Sequence, residues 1–127
     1  MRAQLVTELR KADRLKDAGI DVRPYAKDLD ALERPCLMVS VVTVKRSQLA
    51  AGWRDYEVNL DLLSPYVDPD GRADDELDDA LEEVLALLES ADENDIGLVY
   101  STATRATFGD KWPSYRITGT VTTQRGA

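Results

Sequence analysis

The sequence contains no histidine and only one cysteine, Cys36, among its 127 residues. Histidine is the commonest general base near neutral pH and the commonest metal ligand, so its absence removes most familiar catalytic and metal-binding arrangements. One cysteine forms neither an intramolecular disulfide nor a zinc site. Cys36 lies in an apolar run, which predicts a buried, unreactive thiol and suits a reducing compartment.

Long apolar runs and glycine-rich loops are also missing. No stretch of about 18 apolar residues occurs and no charged-then-apolar leader is visible, so we expect neither a membrane span nor a signal peptide. Gly109 and Gly119 are isolated, which excludes a phosphate-binding loop. The acidic residues around Gly71 lack the spacing of a calcium-binding loop. We therefore predict a single domain over residues 1–127 that is not an enzyme and holds no cofactor or metal.

Positive charge is absent from one long segment. Between Arg72 and Arg105 the chain has eleven acidic residues and no Lys or Arg. The net charge is −8, yet the rest of the chain holds 13 acidic against 16 basic residues. A solvated helix face is the usual origin of such a segment. The alternative is a surface that repels nucleic acid or binds a basic partner, and the sequence does not choose between the two.

Residues 73–90 predict an amphipathic helix. Its apolar positions recur at helical spacing, and its first turn is acidic, which complements the helix dipole. The stripe consists of Leu77, Ala80, Leu81, Val84, Leu85 and Leu88. We expect Leu77, Leu81, Val84, Leu85 and Leu88 to be buried against a sheet, and Asp78, Glu82 and Glu89 to be exposed. A second, basic helix is predicted over residues 2–18, with Gly19 as its stop.

Four strands are predicted around the acidic helix. Residues 36–45 are β-branched and apolar on both faces, so this strand should be central and covered. Residues 56–63 alternate between apolar and polar side chains, and residues 98–108 and 112–123 form a hairpin. Residues 19–34 are a Pro-punctuated connector. The fold class is therefore α+β, in the order α-β-β-α-β-β, with a four-stranded, mainly antiparallel sheet and helices packed on one face.

Residues 46–55 join the first two strands and are too many for a tight hairpin turn. They carry Trp53 and Arg54 outside any periodic pattern, and Trp and Arg are enriched at binding hot spots. Arg46, Trp53 and Arg54 are therefore candidate assembly contacts, in a loop expected to become ordered on assembly. The alternative is that Trp53 folds back over the sheet as part of the core.

The order of these segments carries a resemblance to a known family. A basic N-terminal helix is followed by a connector, GIDVRPY, and by RPCLMVSVV, which leads into the first strand. The second strand ends in LDLLSP, the acidic helix reads DELDDALEEVLALLE, and the closing hairpin ends in YRITGTVTT. Over almost its whole length the chain resembles the tail terminator proteins of long, non-contractile-tailed bacteriophages.

The resemblance implies a structural virion protein at the head–tail junction, assembled in the host cytoplasm. Such proteins form a hexameric ring on the last ring of major tail tube protein and stop further polymerisation. They then present a surface to the neck or head-completion proteins. Double-stranded DNA passes through the lumen without specific binding, and an acidic lumen opposes contact with phosphates.

Two other interpretations stay open. Another head–tail joining protein, such as a head-completion or neck protein, would differ in its partner and not in its chemistry. A monomeric ligand-binding or enzymatic α+β domain belongs to a different class, against which the lack of histidine and of a convergent polar cluster argues. The mass in solution, alone and with tail tube protein, separates the ring-forming from the monomeric interpretation.

Overall fold

The computed structural model describes residues 1–26, 32–48, 51–65, 72–90, 97–109 and 112–124. Within these ranges the α+β fold has three helices and one five-stranded mixed sheet. The elements are α1 (Arg2–Lys11), α2 (Asp13–Asp17), β1 (Asp21–Pro24), β2 (Cys36–Arg46), β3 (Trp53–Leu63), α3 (Arg72–Glu89), β4 (Leu98–Phe108) and β5 (Trp112–Gln124). The strand order is β1-β2-β3-β5-β4, and β1 is parallel to β2 whereas the other pairs are antiparallel.

The fifth strand, β1, corrects the prediction of a four-stranded sheet and of the order α-β-β-α-β-β. It lies inside the predicted connector and pairs with the first four residues of β2. Gly19 ends α2 as predicted, with a positive φ of 73° that turns the chain towards the sheet. Pro24 argued against a strand, but β1 is an edge strand, where a missing N–H donor is tolerated. Four residues are also too few to show an alternating pattern.

The predicted N-terminal helix is divided in two. At Ala12 the backbone is extended, with φ −70° and ψ 116°, so α1 ends at Lys11 and α2 begins at Asp13. The apolar positions predicted for this segment, which are Leu5, Leu9, Ala12 and Leu15, are nevertheless all buried. The break therefore redirects the chain without removing its apolar side from the core.

The three helices pack on one face of the sheet, as predicted. Their buried residues form one cluster with alternate residues of β2, β3 and β5, among them Val39, Leu60 and Ile117. The helix α3 contributes the buried residues Leu77, Ala80, Val84, Leu87 and Leu88. The exposure predicted for Asp78, Glu82 and Glu89 is confirmed.

Two positions of the predicted α3 stripe are wrong, because Leu81 and Leu85 are only half-buried. Leu87, which was not in the stripe, is 1% exposed instead. The helix is rotated towards α2, from which Arg14 Nη1 donates to Glu83 Oε2 at 3.1 Å. The packing of α2 thus covers one flank of α3 and leaves the flank of Leu81 and Leu85 partly in solvent.

The opposite face of the sheet carries a smaller apolar cluster at one end. It consists of Cys36, Met38, Leu63, Phe108 and Trp112, with Leu32 packed against it. Trp112, the first residue of β5, is buried in this cluster. Beyond this cluster β2 is not covered, because its burial stops after Val39 and Val42 is 59% exposed. The prediction of a fully covered β2 is therefore wrong for its second half.

The Cys36 thiol gives a test of the small cluster. Its side chain is fully buried, and burial raises the pKa of the thiol to about 11. At neutral pH the thiolate fraction is then about 100-fold lower than at the ordinary pKa. We expect native protein to resist an aromatic disulfide reagent and urea-unfolded protein to react completely. A native reaction rate equal to that of the unfolded chain would contradict the buried position.

Candidate assembly surfaces

The three candidate contact residues lie in strands and not in a long loop. Arg46 is the last residue of β2, and Trp53 and Arg54 are the first two residues of β3. The connection is therefore residues 47–52, of which 49 and 50 lie outside the described residues. The loop predicted over 46–55 is corrected because the two strands continue to pair beyond the point where their apolar residues end. Trp53 is 37% exposed, so it does not belong to the core.

Arg46 and Arg54 are directly opposite each other in the β2–β3 ladder. Like charges in this position repel each other. Within the described part of the chain, neither guanidinium forms an ion pair with a carboxylate. The neighbouring Lys45 differs, because its Nζ lies 3.0 Å from Glu57 Oε1 and this hydrogen bond raises the pKa of the ammonium. The end of this hairpin thus holds an uncompensated positive pair, which we call the arginine pair.

The sheet has unpaired edges on both sides within the described residues. β4 is the outermost strand on one side. On the other side β1 covers only Cys36–Val39, so β2 has a free segment at residues 41–46. Val42 and Val44 in this free segment are 59% and 52% exposed, and Val99 on β4 is 75% exposed. Exposed valines thus mark both edges.

The two unpaired edges lie at the same level of the sheet. Cross-strand partners trace one row from Val44 through Tyr56 and Val121 to Leu98. The next row runs from Thr43 to Val99 through Glu57 and Thr120. Residues 41–44 of the free segment and residues 98–100 of β4 therefore occupy the same rows at opposite sides of the sheet, whereas Lys45 and Arg46 lie one and two rows beyond Leu98.

Acidic side chains of α3 lie above the β4 side. Asp74 forms an ion pair with Arg105 of β4. Tyr115 of β5 donates its hydroxyl hydrogen to Asp78 Oδ1 at 2.9 Å, and this bond raises the pKa of Tyr115. Burial and then the charge of the nearby Glu89 raise the pKa of Tyr100 on β4.

The acidic flank of α3 thus follows β4 from one end to the other. Glu82 also acts on Tyr100 through its charge, so Glu82 and Glu89 both lie near the first half of β4. We call these two residues, together with β4, the acidic edge.

The opposite side of the molecule is basic. The helix α1 packs over β1 and β2, and Arg10 Nε donates to the carbonyl oxygen of Val22 at 2.9 Å. Residues 1–18 contain five basic and three acidic side chains, and Lys45 and Arg46 add positive charge to the free segment of β2. The two sides of the sheet therefore carry opposite charge.

An open groove lies between α2 and α3. It is lined by Lys11, Ala12, Asp13, Arg14, Asp17, Ala18, Glu83 and Leu87. Its charged residues are of both signs, and the Arg14–Glu83 ion pair crosses it. Among the described residues no three acidic or cysteine side chains group as a metal site. No helix of the described ranges is both long and apolar enough to cross a membrane.

Sequence reasoning located the arginine pair and the acidic helix but missed the valines of the two edges. The run VSVVTV was interpreted as wholly covered, although nothing in an apolar run tells how far its neighbouring strand extends. A comparison with protein-family models finds no match, and a comparison with curated proteins finds none either.

Proposed function

We propose that this chain is a structural virion protein that forms a ring on the tail tube of a long, non-contractile-tailed bacteriophage. The ring, a hexamer by the family resemblance, ends polymerisation of the major tail tube protein. It joins the tail to the neck or head-completion proteins of the filled head. Double-stranded DNA passes through its lumen without specific binding. The protein assembles in the host cytoplasm and has no catalytic role.

The observation that carries this proposal is the pair of unpaired sheet edges of opposite charge. A ring requires a heterologous contact, in which one surface of a subunit meets a different surface of the next. Two edges at the same level on opposite sides of the sheet provide such a pair of surfaces. Exposed edges are normally protected in a monomer, and a ring protects them by burying each edge against a neighbour.

Electron microscopy of the purified protein, alone and mixed with tail tube protein, tests the proposal. We expect rings with a central hole, seated on tube ends in the mixture. Rings that bind heads but never tubes would favour the neck-protein alternative. A two-fold dimer as the sole assembled species would contradict the ring, and a monomer that binds a metabolite in the α2–α3 groove would support the ligand-binding alternative.

The first two residues of β3, the exposed Trp53 and the half-buried Arg54, supply a second test. Changing Trp53→Ala together with Arg54→Ala should leave the protein folded, because neither side chain lies in the core, and should impair capping of tail tubes. The matched control changes the exposed cations Lys16 and Arg34 to alanine, away from both edges. Tube length after assembly is the readout. Normal tube length with the Trp53/Arg54 variant would remove these residues from the contact.

A further inference from the structure

We propose that neighbouring copies of this chain join edge to edge, with β4 of one copy pairing with the free segment of β2 in the next. In this contact the acidic edge of one copy meets the arginine pair of its neighbour. The partner is thus a second copy of the chain in head-to-tail orientation. This inference names the contact between subunits of the proposed ring, and it rests on the proposed function because only that function requires the assembly to close.

The two edges lie in common rows of the sheet, so two copies can pair without sliding along the strand direction. Val41, Thr43 and Val44 of β2 share their rows with Tyr100, Val99 and Leu98 of β4, and Arg46 lies two rows beyond Leu98. β1 covers the remaining part of β2 and prevents pairing there. β2 and β4 run in opposite directions within the sheet, since β2 is antiparallel to β3, β3 to β5, and β5 to β4. Copies that keep their strand directions therefore pair antiparallel.

The charges match on one face of this joined sheet. Arg54, Tyr56 and Val58 occupy alternate positions of β3 and therefore lie on the same face. Because Val58 packs against the helices, the arginine pair also lies on the face that carries them. Glu82 and Glu89 of α3 lie on the same face, beside Tyr100. Joining the edges brings these carboxylates towards the arginine pair, whose mutual repulsion is otherwise uncompensated in the described residues.

Apolar surface is present on both sides of the same contact. On the basic side, Val42 and Val44 of β2 are exposed. On the acidic side, Val99 of β4 is exposed. Leu81 and Leu85, the half-buried residues of α3, lie by helical geometry on the flank that carries Asp78 and Glu89. α2 covers only the opposite flank of α3. A neighbouring subunit at β4 would therefore bury the flank of Leu81 and Leu85.

A charge-exchange experiment tests the orientation. One variant carries Arg46→Glu and Arg54→Glu, and the other carries Glu82→Arg and Glu89→Arg. Each variant alone places like charges across every contact, so assembly should weaken at least about tenfold. An equimolar mixture should restore assembly, because alternating copies place opposite charges at every contact. Sedimentation velocity measures the oligomers, and circular dichroism confirms that each variant is folded.

A mixture that assembles no better than the separate variants overturns the inference, as does either variant assembling like the wild type. The matched control exchanges Lys16 and Asp17, exposed residues of α2 outside both edges, which should not affect assembly.

Disulfide trapping tests the same contact without requiring strong self-association. Thr43→Cys and Val99→Cys lie in one row on the helix-free face, and Thr102→Cys covers a stagger of two rows, the next position on that face. We expect a mixture of the Thr43→Cys protein with a β4 cysteine protein to form linked dimers. A chain carrying both cysteines should form a ladder of oligomers. The wild type is the background control, since its Cys36 is buried.

Linked dimers of the Thr43→Cys protein alone, equal in yield to those of the mixture, would show two-fold edge pairing and overturn the inference. No link in any mixture overturns it as well. If wild-type rings form without such links, the edge contact is wrong while the ring function stands. If links form but rings never cap tail tubes, the edge contact stands and the proposed function fails.

Discussion

Replacing the half-exposed Arg116 with leucine is expected to lower the free energy of unfolding by about 1–3 kcal/mol, the usual cost of leaving a buried polar group without its partner. Asp61 on β3 is only 2% exposed, and its Oδ1 accepts a hydrogen bond from Arg116 Nε at 2.9 Å. Its Oδ2 is buried without a hydrogen-bond partner within the described residues. Leucine would retain the apolar volume and leave a buried carboxylate without its counter-charge. Urea unfolding at pH 7 measures the difference.

The Arg23–Asp21 pair of β1 is the matched control for Arg116. Arg23 Nη2 lies 2.9 Å from Asp21 Oδ2, but both side chains are partly exposed. Arg23→Leu should therefore lower the free energy of unfolding by less than about 1 kcal/mol. Equal costs for the two variants would contradict the role assigned to Asp61.

Long periodic segments of this fold are readable from the sequence. The helix α3 spans Arg72–Glu89 and the last hairpin joins Leu98–Phe108 to Trp112–Gln124, close to their predicted bounds. In both, many residues repeat one period, so single exceptions do not obscure the pattern. The helix-facing and helix-free sides of β5 also follow its alternation, with Ile117 and Val121 buried among the helices.

What the sequence did not reveal depends on neighbours that local patterns do not contain. β1 is recognisable as a strand only through its pairing with β2, and the burial of β2 stops where β1 stops. The alternation of residues 56–63 makes Asp61 one of the polar positions, yet its carboxylate is buried beside Arg116, a partner 55 residues away. Such contacts are decided by tertiary packing, which overrides local preference.

The candidate contact residues also show what local sequence patterns predict and what only the pairing of strands determines. Composition singled out Trp53 and Arg54 as candidate contact residues, but placed them in a loop, whereas they are the first two residues of β3. Their register against Arg46 and Gln124 follows from continued pairing of β2, β3 and β5. Only that register places two arginines opposite each other, and only the strand order places the acidic helix at the far edge.

Truncation of Leu77 to alanine is expected to lower the free energy of unfolding by about 2–5 kcal/mol, the usual range for a fully buried leucine. Leu77 is 0% exposed and belongs to the main core cluster beneath α3. Its removal would leave a cavity between the helix and the sheet. Chemical denaturation of the isolated protein, monitored by circular dichroism, measures the loss.

Two neighbouring substitutions on α3 calibrate the Leu77 result. Leu81→Ala should cost less than Leu77→Ala, because Leu81 is half-buried on the flank beside the acidic edge and already contacts solvent. Glu82→Ala should stay within about 0.5 kcal/mol of the wild type, because its side chain is exposed. A cost for Leu81→Ala equal to that of Leu77→Ala would mean that α3 is rotated back onto the stripe predicted from periodicity. The flank that we assign to the neighbouring subunit would then be part of the core.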